Sequence, residues 1–220
     1  MPDFNLEQAR FNMIEQQIRP WNMFDQGVLD LMAEVPRELF VPQKYHDLAF
    51  ADTEIPLANA QVMMSPKIEA RILQALMIHP TDNVLEIGTG SGYFTALLAK
   101  SARQVDSVDI FEDFVASAQE KLDNLNINNV DLSVGDAING WHIDNRYDVI
   151  ILTGSVPILQ AHFQEQLKEG GALFAIVGEQ PVMQAKVINR ITEEKIETQT
   201  LFETSITALL GAPEPARFVL

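Results

Sequence analysis

The residues with evident chemical potential in this chain are a glycine run opened by an acid. The stretch VLEIGTGSGY, residues 84–93, places Glu86 behind two apolar residues and then sets Gly88, Gly90 and Gly92 at alternate positions. A loop of this kind exposes bare backbone to a ligand, and joining a strand to a helix it would lie where doubly wound sheets bind, at the carboxyl ends of their strands. Its spacing is neither the Gly-x-Gly-x-x-Gly of a dinucleotide site nor the Gly-Lys-Ser/Thr ending of a phosphate loop. Charge narrows the choice further. A diphosphate about 4 Å from Glu86 would be repelled by on the order of 4 kcal/mol at an effective dielectric near 20. A cationic ligand reverses that sign, and S-adenosylmethionine, with its ammonium and sulfonium, suits an acid beside bare backbone.

Two more acids stand where such a ligand needs them. Asp109 ends the apolar run QVDSVDI, where a carboxylate can accept both ribose hydroxyls. Asp136, in VGDAINGW, follows the next run and can accept the exocyclic amine of adenine. Each alone reads equally as a solvated acid; at three successive strand ends they favour the cofactor.

The elements that must position these groups follow from periodicity. Residues 6–18 place Leu6, Ala9, Met13 and Ile14 at helical spacing, and Asp25 can N-cap a helix burying Val28, Leu29 and Met32. Pro36 and Pro42 end this lead, and residues 43–65 read as loop. Ser65 and Pro66 then offer an N-cap and a first-turn proline for a helix carrying Ile68, Ile72 and Leu76. Thereafter β-branched runs at 84–87, 104–110, 130–134, 147–153 and 172–177 alternate with helical stretches near 92–100, 111–124 and 157–168. That alternation predicts an α/β fold, a doubly wound, mostly parallel sheet. Residues 182–191 and 196–204 predict an antiparallel hairpin at its edge.

The chain's 220 residues, 47% of them hydrophobic, suffice for one substantial core. A single domain is expected, with residues 1–80 as a helical and substrate-side segment and 81–210 as the cofactor-binding sheet. The net charge of −16 sets a field that repels polyphosphate, which argues against nucleic acid as substrate. No run reaches the roughly 18 apolar residues of a membrane span, and no signal-peptide core opens the chain. A cytoplasmic protein without a membrane partner is the expectation. With no cysteine there is no disulfide and no thiolate nucleophile. His46, His79, His142 and His162 show no paired ligand spacing, so no metal site is expected.

Several separated motifs together resemble one family. VPRELFVP, EIPLANAQVMMSP, VLEIGTGSGY, GDAINGW, YDVIILTGSVP and LKEGGALFAIVGE occur in the order seen in protein-L-isoaspartate O-methyltransferases, a family of class I S-adenosylmethionine-dependent methyltransferases, and cover residues from about 10 to 210. The resemblance implies transfer of a methyl group to a carboxylate of an isoaspartyl residue in a damaged protein or peptide. It implies cofactor contacts from Glu86, Gly88, Thr89, Gly90, Gly92, Asp109, Ile110, Asp136 and Ala137, and acceptor-side, catalytic positions at Gln61, Met64 and Ser65. Trp141 also matches a family position, as contact or as packing.

One segment departs from the pattern. Where the family reads approximately Gly-Gln-Thr-Ile-Ser-x-Pro, this chain has Ala60, Gln61, Val62, Met63, Met64, Ser65 and Pro66. The family's serine hydroxyl, placed beside the substrate carboxylate, aligns with Met64, and its threonine with Val62. Ser65 falls one residue late and reads as the helix N-cap; Met63 and Met64 read as adaptable lining or core. The family's Arg-Phe-Val-Pro-Leu-like terminal strand becomes TSITALL, residues 204–210. An α-carboxyl with a pKa of about 3.5 is already ionised at neutral pH, so no general base is required. Loss of a hydroxyl therefore weakens placement of the acceptor without removing a proton acceptor. Two other readings stay open on the sequence alone: a methyltransferase of this build with a different acceptor, and a cofactor-binding module without turnover.

Overall fold

The computed structural model describes residues 5–214. Phe218, which in the proline-rich stretch APEPARFVL reads as a candidate to dock on the core, falls outside them. α1 (Leu6–Asn12) is capped by Asn5, which accepts from the Gln8 N–H, and it runs into a π-helical turn over Met13–Ile18 that buries Met13, Ile14 and Ile18. The single helix expected over 6–18 is thus two conformations. α2 (Gln26–Glu34) starts at Asp25, whose carboxylate accepts from the Val28 N–H, and buries Leu29 and Met32.

The stretch 43–65, expected as loop, holds more structure than that. A 3-10 turn spans Gln43–Leu48, and β1 (Ile55–Pro56) pairs with β2 (Val62–Met63) as a small antiparallel hairpin. α3 (Pro66–Leu76) follows, with Ser65 at the N-cap position and Pro66 in the first turn; the Ser65 hydroxyl caps nothing.

β3 (Asn83–Ile87), α4 (Tyr93–Ser101), β4 (Gln104–Asp109), α5 (Glu112–Asn124), β5 (Val130–Val134) and β6 (Tyr147–Val156) then alternate as expected. The interval 157–168 differs. Only α6 (Ala161–Glu165) is helical there, because Leu167 already pairs with Tyr147 and opens the long β7 (Leu167–Glu179). β8 (Val182–Arg190) and β9 (Ile196–Thr204) form the antiparallel hairpin. The main sheet runs β5-β4-β3-β6-β7-β8-β9, with the first five strands parallel. This is the Rossmann-like methyltransferase fold.

Its strand order reverses direction between β3 and β6, the place where such sheets leave a crevice for ligands. Period-two alternation along β3 feeds both faces of the sheet: Val84 joins one apolar cluster, Leu85 and Ile87 the other. Because both faces are covered, a polar side chain on this strand is buried whichever way it points. TSITALL does not form a strand of the sheet. It touches β6 through one parallel bridge, Ser155 to Ala208, with Ser155 N–H donating to Thr207 O at 3.0 Å and Leu209 N–H to Ser155 O at 2.9 Å.

Candidate active site

The carboxyl ends of β3, β4 and β6 open into a cleft lined by the glycine loop, Asp109, Asp136 and residues 61–64, the concave kind of site that holds small ligands. Its floor is the glycine loop. Gly88 has φ +100° and a Cβ there would stand 2.2 Å from Thr153 Oγ1, which itself donates to the carbonyls of Ile87 (2.9 Å) and Gly88 (2.6 Å). Thr153 fills the space a side chain would need there, so the positive-φ turn requires glycine, and Gly88 itself lines the cleft. Gly90, at φ +53°, donates its N–H to Asp109 Oδ2 at 2.9 Å, and Phe111 N–H donates to Oδ1 at 3.0 Å. Asp109 is thereby locked to the loop it faces. Burial lifts its pKa above the usual value, partly opposed by those two N–H donors.

Asp136 sits at the neighbouring strand end, its Oδ1 accepting from Ile138 N–H at 3.0 Å and its side chain exposed. Thr89, Ile110 and Ala137 also line the cleft. Gly88 and Gly90 lining the cleft, with space above Gly90 and two carboxylates beside it, fit an adenosyl ligand.

Two expected cofactor residues do not line the cleft. Gly92, at φ +82°, is the N-cap of α4, and a Cβ there would lie 2.8 Å from Ala118 Cβ, so it serves packing of α4 on α5. Glu86 is fully buried beneath the loop rather than at its mouth. Its Oε2 accepts from Thr95 Oγ1 (2.5 Å) and Ser107 Oγ (2.6 Å), while Oε1 has no hydrogen-bond partner. Burial pushes its pKa up to about 8, against the pull of those hydroxyls and helped by Asp109 and Glu69 nearby. Buried beneath the loop and absent from the cleft lining, Glu86 does not meet a ligand at the mouth, which corrects the placement on which the electrostatic argument rested. What remains of Glu86 is a brace, tied through Ser107 to Thr89, whose Oγ1 lies 2.7 Å from Ser107 Oγ.

The β1–β2 hairpin roofs the cleft. Asn59 and Ala60 at its tip have φ +55° and +56°, and Gln61 N–H donates to Ala58 O at 3.0 Å, closing a tight turn. Asn59 Nδ2 donates across to the Asp113 carboxylate (3.2 and 3.3 Å) at the start of α5, and Leu57 Cδ1 lies 3.6 Å from where a Cβ on Gly90 would be. From this hairpin and the residue after it Gln61, Val62, Met63 and Met64 line the cleft; Ser65 does not. Ile206 and Thr207 line it as well. Trp141 covers Gly135, its ring 2.7 Å from the position of a Cβ there, so packing is its visible role.

Sequence reasoning missed Arg37 and Glu69. Arg37 is fully buried; it ion-pairs with Glu69, donates to Ala49 O (3.0 Å) and Met64 O (2.7 Å), and stacks over the Tyr93 ring at 4.8 Å. Glu69 lines the cleft and is pushed up to about 7 by burial, opposed by Arg37. The pair holds the backbone of the acceptor segment through Met64. A signal existed: Glu69 falls on the same α3 face as Ile72, Leu73 and Leu76, where a carboxylate needs a buried cation.

Among the described residues no group of three or more histidine and acidic side chains is arranged to hold a metal ion, and no helix is long and apolar enough to cross a membrane. Residues 8–211 match the family model of protein-L-isoaspartate(D-aspartate) O-methyltransferase. A protein-L-isoaspartate O-methyltransferase of Rhodopseudomonas palustris is 36% identical over 210 residues, 93% of this chain and 96% of its own. One from Koribacter versatilis is 36% identical over 208 residues, 94% and 92% of the two chains. A Plasmodium falciparum structure described as a protein-L-isoaspartate O-methyltransferase in complex with S-adenosyl-L-homocysteine superposes with TM-score 0.79 at 20% identity, over 91% of this chain and 97% of that one. At that identity the likeness speaks for the fold.

Proposed function

Because the chain belongs to the protein-L-isoaspartate(D-aspartate) O-methyltransferase family, we propose that it transfers a methyl group from S-adenosylmethionine to the free α-carboxylate of an L-isoaspartyl residue in a damaged protein or peptide. The observation that carries this reading is the family match itself, which runs through residues 8–211 and so includes the glycine loop, both cleft acids and the acceptor hairpin. On this reading residues 1–80 are the substrate side and 81–210 the cofactor side of one domain.

S-Adenosylmethionine supplies an activated methyl group on a sulfonium. A C–O bond to the acceptor forms as the C–S bond breaks, and both charges disappear, so the protein must align the groups and exclude water rather than move a proton. Asp109 accepts the ribose hydroxyls with the lone pairs left free by Gly90 and Phe111. Asp136 would accept the adenine amine, with Ile110 and Ala137 lining the same cleft. Gly88, Thr89 and Gly90 present backbone beneath the ligand, while the β1–β2 hairpin closes over it. Gln61 and Met64 face the acceptor; Ser65 shapes the start of α3.

One observation favours a second reading, a different acceptor on the same fold: Val62 and Met64 leave the hairpin side of the acceptor end without a hydroxyl. Incubation with methyl-labelled S-adenosylmethionine separates the two. The proposal requires base-labile label on an isoaspartyl peptide; label appearing only on another acceptor overturns it.

A further inference from the structure

The polar groups lining the cleft can be accounted for one by one. Thr89 Oγ1 shares a hydrogen bond with Ser107 Oγ, and Thr153 Oγ1 donates to the carbonyls of Ile87 and Gly88. Ser91 Oγ accepts from Tyr93 N–H within the glycine loop, under the cofactor side. Gln61 Nε2 donates to Asn59 O, and Glu69 is paired with Arg37. One cleft hydroxyl is left: among the described residues, that of Thr207 takes part in no hydrogen bond, and the side chain is half-buried.

Its placement is equally specific. Ser155 grips the segment twice, its N–H donating to Thr207 O at 3.0 Å and its Oγ to Ile206 O at 3.1 Å, so Thr207 is held by backbone and not by its own side chain. Ser155 belongs to β6, whereas Asp109 ends β4 and Asp136 follows β5. In the order β5-β4-β3-β6 Ser155 lies two strand spacings from Asp109 and three from the strand that Asp136 follows, on the order of 10 and 14 Å. An adenosyl group held by Asp109 and Asp136 would leave the β6 side of the cleft, where Thr207 lies, for the rest of the ligand and the acceptor. Ile206, the preceding residue, belongs to the same apolar cluster as Met63 and Met64, and Thr207 lines the same cleft as the two methionines.

We infer that Thr207 is an acceptor-binding residue whose hydroxyl donates to the isoaspartyl carboxylate, in place of the hydroxyls absent at Val62 and Met64. The inference rests on the proposed reaction. A rigid backbone presenting one free donor beside apolar walls is the arrangement that orients a carboxylate without desolvating a second charge. Glu69, which also lines the cleft, already spends its charge on Arg37.

The test compares wild type, Thr207→Val and Thr207→Ser, with an isoaspartyl peptide and labelled S-adenosylmethionine, and measures S-adenosylhomocysteine affinity by calorimetry. Valine keeps the shape and removes the donor. It should lower kcat/KM about ten- to a hundredfold, the equivalent of one hydrogen bond to a charged group. Serine should stay within about threefold of wild type, and product affinity should be unchanged in both. In a Met64→Ser background the valine penalty should shrink, because a second hydroxyl then faces the carboxylate. A valine variant that methylates as well as wild type overturns the inference, as does one that loses S-adenosylhomocysteine binding. A wild type that binds S-adenosylhomocysteine yet methylates no isoaspartyl peptide overturns the underlying reaction, and the inference with it.

Discussion

Glu86→Gln should stabilise this protein, and by an amount that grows with pH. Glutamine has the shape of a protonated carboxyl, so it can still accept from Thr95 and Ser107 through its oxygen. The native carboxyl holds its proton up to about 8, whereas the unfolded chain releases it at the ordinary 4.5. Between those values unfolding releases a proton, and native stability falls as pH rises, by about 1.4 kcal/mol per unit. Below the unfolded pKa both states are protonated and the variant gains nothing. At pH 7 the gain is about 3 kcal/mol, and above the folded pKa it levels off near 5 kcal/mol, both order-of-magnitude figures. Urea denaturation of wild type and variant at pH 5, 7 and 8.5 reads this directly, since a stability change shifts the midpoint at constant slope. A gain that shrinks with rising pH, or a variant equally destabilised at every pH, would refute the view that Glu86 is a buried neutral brace.

Asp109→Ala removes the acceptor for the Gly90 and Phe111 N–H groups and, on the proposed reading, for two ribose hydroxyls, and should weaken S-adenosylhomocysteine binding about a hundredfold by calorimetry. Ala60→Gly relieves a non-glycine residue at φ +56° and should raise stability by about 1 kcal/mol in the same urea assay. Val62→Thr with Met64→Ser should raise methyl transfer to an isoaspartyl peptide about ten- to a hundredfold. That gain should come with lower stability, because the buried Met64 side chain is truncated by a change that typically costs about 2 kcal/mol or more.

The sheet and its cofactor edge were legible because parallel strands covered on both faces are short, β-branched and bounded by turns, as at 84–87 and 104–110. Asp109, Asp136 and Gly88 line the cleft at the strand ends where the sequence puts them. The orientation of Glu86 was misread, although alternation alone sets it on the face opposite Leu85 and Ile87, where Thr95 and Ser107 meet it. The β1–β2 hairpin gave no signal: its strands have two residues each, and its turn uses Asn59 and Ala60 in place of the Asn-Gly that marks such turns. Ile158, Leu159, Phe163 and Leu167 mimic a helical stripe, yet Leu167 belongs to a strand because its partner Tyr147 lies far away in sequence. Thr207 was invisible for the same reason: its significance comes from Ser155, more than fifty residues earlier.

The central claim is tested most directly by a pair of peptides that differ in one linkage, one carrying an L-isoaspartyl residue and the other the normal aspartyl residue at the same position. With methyl-labelled S-adenosylmethionine and the wild-type protein, the account predicts base-labile label on the isoaspartyl peptide and background on its partner. Equal labelling of the two, or none on either while S-adenosylhomocysteine binds normally, would contradict it.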